Sequence, residues 1–378
     1  MRPVWKAVSW AGGVLGAAVT GAAVGVAAHS ARGAARRRQA DDTDFGRRPA
    51  LPPSRESTVA ADDGLPLSVE EVDPRDGGAA ELTVVLVHGF ALDRRCWGFQ
   101  RASLAELTGP RVRQVLFDLR GHGRSGRASA ESSTIEQLAR DLDAVLRAVA
   151  PTGPLVLVGH SMGGMTIMAL AEQRPDLFDD RVRGVAFIGT SAGQVGGSGL
   201  PRMVLSRRNP VPLALGRLAS LQPVLVEGAR RAGGQLAWSL VRRLAFGDRS
   251  VDPALVDLVD DMIDSTSVRV LTDFLETLGT HDRLLALAEL RRCELLVLGG
   301  DADRLTPFSH SETMAEQLPE ATLVRVAGAG HLVMLEQADT VTEHLVALIR
   351  RCAPEGDTGV DGSDTTKDED GQACQQQA

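Results

Sequence analysis

The stretch Leu155-Val156-Leu157-Val158-Gly159-His160-Ser161-Met162-Gly163-Gly164 decides how the rest of the chain is read. Residues 155–158 are apolar at every position. A strand without a polar face belongs in a sheet that helices cover on both sides. Residues 162–173 then follow a helical pattern, so the chain turns sharply from strand to helix at Gly159–Gly163. That context makes Gly-x-Ser-x-Gly meaningful: the serine occupies a strained turn, and the flanking glycines let neighbouring backbone approach. Gly189-Thr190-Ser191-Ala192-Gly193 fits the same pattern and also follows a strand. It continues into Gln194-Val195-Gly196-Gly197-Ser198-Gly199, which cannot start a helix, so Ser191 reads as a loop residue.

Working outward, strand-like runs occupy 82–87, 112–117, 182–188, 295–298 and 322–326. Before them, 58–61 and 65–71 flank Asp62-Asp63-Gly64, a hairpin signal. A helical pattern at 135–149 separates two of the strands. Strands alternating with helices predict an α/β fold with right-handed crossovers. The alternation stops between 191 and 282, where an Arg- and Leu-rich region has helical periodicity at 213–225, 235–246 and 254–263. The expected organisation is therefore an apolar N-terminal segment and linker (1–56), a first core part (57–190), a helical cap (191–282), a second core part (283–353) and an acidic, disordered tail (354–378).

The N-terminus stands apart. Residues 7–28 carry no charge and are long enough to span a bilayer as a helix. The expectation is a membrane anchor with the enzyme domain on the cytoplasmic side, because Arg32 and Arg36-Arg37-Arg38 follow the segment. The alternatives are a cleaved signal peptide, giving a secreted protein, and an Ala-rich soluble tail.

Composition narrows the partners. The 378-residue chain has a net charge of -8, no tyrosine and 3% aromatic residues. Phosphate contacts need clustered cations and single strands need stacking platforms, so nucleic acid is not expected. Cys96, Cys293, Cys352 and Cys374 are scattered and read as isolated thiols, neither a disulfide framework nor a metal site.

A serine hydroxyl needs a base within hydrogen-bond reach and an acid to hold that base's tautomer. Downstream of Ser161 lie His281, His310, His331 and His344. His331 stands in the Gly-rich loop Ala327-Gly328-Ala329-Gly330-His331 after the last strand, where an imidazole can reach the sheet's carboxyl edge. His344 falls at helical spacing, His310 lines or caps a helix, and His281 precedes the acid. Gly299-Gly300-Asp301-Ala302-Asp303 ends the strand at 295–298, and both aspartates qualify as the acid. Backbone amides should receive a developing oxyanion. Met162 follows the nucleophile, and Phe90 lies in the loop His88-Gly89-Phe90 after the first parallel strand.

His88-Gly89-Phe90, the run Asp118-Leu119-Arg120-Gly121-His122-Gly123-Arg124-Ser125, Gly159–Gly164, the run Gly300-Asp301-Ala302-Asp303-Arg304-Leu305-Thr306-Pro307 and Gly330-His331 occur in an order that resembles the α/β-hydrolase family. The resemblance covers about residues 58–351. It implies an eight-stranded, mostly parallel sheet flanked by helices, with an inserted helical cap. It also implies Asp303 as the acid and the 118–125 stretch as a structural loop, with His122 outside the chemistry. The serine sets the chain apart from branches whose nucleophile is aspartate. Ester or related acyl cleavage by Ser161, His331 and Asp303 is expected, with no metal or organic cofactor. The substrate would be a small acyl compound, lipid-like among the options. The alternatives are a cofactor-free haloperoxidase- or perhydrolase-like enzyme and a catalytically silent binding protein on the same fold. Arginines in the cap, from Arg202 to Arg243, fit an amphipathic helical surface, or a lid that meets anionic lipid.

Overall fold

A computed structural model describes residues 51–195 and 250–353, together with 241–248 and positions 218, 221, 222 and 226. The expected anchor at 7–28 and the acidic tail from 354 lie outside the described residues, as does most of 196–240. Among the described residues no helix is long and apolar enough to cross a membrane.

The sheet has eight strands in the order β1-β2-β4-β3-β5-β6-β7-β8. They are β1 (Arg55–Ala60), β2 (Pro66–Val72), β3 (Leu82–Val87), β4 (Val112–Phe117), β5 (Leu155–His160), β6 (Val182–Ile188), β7 (Glu294–Gly300) and β8 (Thr322–Val326). β1 pairs antiparallel with β2, and β2 antiparallel with β4; every later pairing is parallel. The hairpin closes where expected, with Gly64 at φ +82° in the left-handed region that costs glycine no Cβ clash.

Both faces of the parallel strands β3 to β7 are covered, and the period of two decides which side chain goes where. Val85, Val87, Leu155, Leu157, Val185, Phe187, Leu295 and Val297 join one core layer. It is shared with α2 (Ile135–Val149) and α3 (Met162–Gln173). Their neighbours Val84, Leu86, Val156, Val158, Ala186, Ile188, Leu296 and Leu298 point the other way, onto α1 (Gly98–Ala105) and α9 (Ala338–Cys352). The remaining core helices are α4 (Pro175–Asp180), α7 (Ser309–Gln317) and α8 (Val333–Glu336).

Within the insertion, α5 (Pro253–Ser265) coincides with the pattern at 254–263, and α6 (Val268–Thr280) adds a helix the pattern did not single out. Residues 241–245 are also helical. The ends of the insertion meet: Gly193 bridges Asp282, and the Arg283 amide donates to Ala192 O at 2.6 Å. Both α5 and α6 bury apolar residues in the main core, among them Met262 and Phe274.

One buried ion network ties the hairpin to the core. Arg120 is fully buried and donates to both oxygens of Asp141 on α2, at 2.6 Å each, and to Asp63 at the turn, at 2.9 and 3.2 Å. Removing one partner of such a pair strands a buried charge. Arg120→Ala is expected to cost about 3–5 kcal/mol of unfolding free energy in urea titration. A loss below about 1 kcal/mol would contradict this reading.

Candidate active site

The strand order reverses at β3, which lies between β4 and β5. Ligands of open α/β sheets bind outside the carboxyl ends of strands at such a switch point. The loops there are the ones nominated from sequence: β3 leads into Gly89-Phe90 and β5 into Ser161, with Val87 opposite Gly159 in register.

Ser161 has φ 49° and ψ −116°, a region that L-residues rarely adopt. The tight turn depends on missing side chains. A Cβ on Gly159 would lie 2.6 Å from the Gly163 carbonyl carbon, and one on Gly163 would collide with the Val87 carbonyl oxygen. The Ser161 amide donates to Ile188 O at 3.0 Å, and its carbonyl accepts from Gly164 and Met165, so the strained residue is pinned through its backbone.

Asp303 and His331 come together. His331 Nδ1 lies 2.8 Å from Asp303 Oδ2. The other carboxylate oxygen accepts the amides of Leu305 and Thr306 at 2.8 and 2.9 Å. A carboxylate only accepts, so the ring proton sits on Nδ1 and Nε2 is left with a free lone pair. Burial works to raise the Asp303 pKa, but the His331 ring beside it and these hydrogen bonds hold it below its ordinary 3.8. Asp301, the other candidate acid, accepts the Gly328 amide at 2.7 Å instead and shapes the loop.

The neighbour of Ser161 touches His331. His160 Nε2 donates to the His331 carbonyl at 2.9 Å, and the two rings are 4.8 Å apart. Among the described residues no hydrogen bond joins the Ser161 hydroxyl to the imidazole. Such bonds are often long in ligand-free enzymes. The amides of Phe90 and Met162 donate to no acceptor among the described residues. Gly89 keeps the gap between the two loops open, since a Cβ there would stand 3.2 Å from Ser161 Cβ.

The 118–125 loop braces this arrangement. Asp118 accepts the amides of Arg94 and Arg124 at 3.0 and 2.9 Å. His88 Nε2 accepts from Leu119, and His122 Nε2 accepts from Ala91, which has φ 60°. Ser191 is buried in a loop, where its hydroxyl donates to Gly193 O at 2.5 Å and lies 2.9 Å from His310 Nδ1. His281 Nε2 donates to Ser191 O at 3.1 Å.

The sequence model described as "Alpha/beta hydrolase family" matches residues 84–344. The chain belongs to the alpha/beta hydrolase family. This hydrolase is 27% identical over 304 residues to the mouse (Mus musculus) sn-1-specific diacylglycerol lipase ABHD11, covering 74% of the chain and 85% of that protein. It is 29% identical to a pimeloyl-[acyl-carrier protein] methyl ester esterase of Xanthomonas oryzae pv. oryzae, covering 69% and 92%. Among solved structures, a thermophilic esterase from Thermogutta terrifontis superposes with a TM-score of 0.61 at 24% identity, covering 79% of this chain and 100% of that one. At that identity the likeness speaks for the fold.

Two contributors to the hydrolase site escaped the sequence reading. Thr306 Oγ1 lies 2.9 Å from Asp303 Oδ2, 2.9 Å from Gly189 O and 3.2 Å from His331 Nδ1, wedging Asp303 and His331 together. Its signal was faint: a hydroxyl three residues after the acid. His160 occupies a variable position of the Gly-x-Ser-x-Gly pattern, which carries no signal.

The hydrolase buries several histidines in neutral form. Burial lowers His88 and His281 to about 4 and His122 and His160 to about 3, from 6.5. Below pH 6.5 the unfolded chain protonates these rings while the folded chain does not. Their contribution is therefore complete above that pH and drains away as pH falls toward the folded values. Each histidine contributes a slope of about 1.4 kcal/mol per pH unit in that window. Urea unfolding is expected to give clearly lower stability at pH 5 than at pH 7; equal stability would contradict the buried neutral state.

Proposed function

We propose that this protein is a serine hydrolase that cleaves esters or related acyl bonds through Ser161, His331 and Asp303. The observation that carries the reading is the Asp303–His331 hydrogen bond, set at the carboxyl edge beside a serine in a strained strand-to-helix turn. Asp303 holds the proton on Nδ1, which leaves Nε2 to take the proton from Ser161. The hydroxyl oxygen attacks the acyl carbon, and the amides of Phe90 and Met162, which have no acceptor among the described residues, receive the oxyanion. The imidazolium then protonates the leaving alcohol. A water, deprotonated by the same nitrogen, releases the acid and restores the serine.

The lipase and esterase relatives support an ester substrate. A panel of p-nitrophenyl esters of increasing acyl length tests the proposal on the full chain. Turnover with a chain-length optimum is expected. A folded protein that hydrolyses none of them would sink the ester reading.

A further inference from the structure

The glutamate five residues after His331 gathers three backbone amides. Glu336 ends α8, and its Oε2 accepts from Gly330 at 2.9 Å and from Gly247 at 3.1 Å, while Oε1 accepts from Asp248 at 2.7 Å. Gly330 immediately precedes His331, whereas Gly247 and Asp248 lie within the insertion. One carboxylate thus spans two chain segments about 80 residues apart, and charge-assisted bonds of this kind are the stronger ones.

The joint is reinforced on both sides. The Leu332 amide donates to Ala245 O at 3.0 Å. The glycines face each other closely: a Cβ on Gly330 would stand 2.8 Å from Ala245 O, and one on Gly247 would stand 2.7 Å from Gly330 N. From the acid's loop, Arg304 Nη1 donates to Arg243 O at 2.5 Å and lies 3.4 Å from Phe246 O. Residues 243–248 are therefore gripped by the loops of both Asp303 and His331.

We propose that Glu336 is a positioning residue for His331, fixing the imidazole's loop against residues 245–248. The proposal rests on the serine-hydrolase reading. Three converging N–H donors require a group that only accepts and has two oxygens to offer. Glutamine can keep one oxygen on Gly330 and Gly247, but its NH2 then faces the Asp248 amide, donor against donor. Alanine loses all three bonds. Because Glu336 touches the base's loop and not the substrate, its loss should act on the chemical step.

The test is Glu336→Ala and Glu336→Gln in the full chain, with p-nitrophenyl acetate as substrate and a fluorophosphonate as covalent probe. Glu336→Ala should lower kcat roughly 10- to 100-fold, as a misplaced catalytic group does. KM should stay within about two-fold, and the labelling rate should fall in parallel with kcat. Glu336→Gln should fall between the parent and alanine. Urea midpoints correct both for unfolded protein, and if the alanine variant does not fold, the isosteric glutamine variant decides. Parental kcat and labelling in the folded variants, or a loss confined to KM, overturns the proposal while leaving the serine reading intact. A folded parent that the probe does not label removes both.

Discussion

Ser161→Ala is expected to reduce ester turnover on the order of 10⁴- to 10⁶-fold, the scale seen when a nucleophile is removed from a Ser-His-Asp site. The fold should survive the change. Ser161 is held by its amide on Ile188 O and by its carbonyl under Gly164 and Met165, all of which alanine retains. Alanine also inherits the φ of 49° at a similar cost, since both residues carry a Cβ. A residual rate above that in water should persist, because substrate binding and the amides of Phe90 and Met162 are untouched. Urea unfolding beside the kinetics separates the outcomes. Near-parental turnover in the folded variant would move the nucleophile elsewhere, with Ser191 next in line.

Asp303→Asn should lower kcat by about 10⁴-fold without disturbing the loop, and the reason lies in its hydrogen bonds. One oxygen of Asp303 accepts the amides of Leu305 and Thr306, so the asparagine carbonyl must take that position. Its NH2 then faces His331 Nδ1, which has to accept. The ring proton moves to Nε2, the nitrogen needed as base, and the imidazole can no longer deprotonate the serine. Asp301→Asn serves as comparison, because that carboxylate reaches only the Gly328 amide among the bonds described. A large loss from Asp301→Asn and a small one from Asp303→Asn would reverse the assignment of the acid.

Much of this was legible because the information was local. Runs read as apolar on both faces gave β3, β4 and β6 with their observed bounds, since a covered parallel strand has no polar face to blur its ends. The strand-helix context separated Ser161 from Ser191, and the structure keeps Ser191 in a loop with its hydroxyl spent on Gly193. The residues alone left Asp301 and Asp303 open, and the choice of Asp303 came from the resemblance. Two aspartates two residues apart look alike until the Gly328 loop takes one and His331 the other. His160 and Glu336 were invisible, and Thr306 faint, because each acts on a segment distant in sequence. α6 escaped because β-branched Val268 and Val270 at its start weaken the helical pattern that Phe274 and Leu278 continue.

The most direct test is where a fluorophosphonate attaches to the parent protein. Peptide mass spectrometry of the labelled chain should find a single phosphonyl group on Ser161. An adduct on Ser191, or a well-folded chain that takes up no phosphonyl group at all, would contradict the convergence of Ser161, His331 and Asp303 on one reactive hydroxyl.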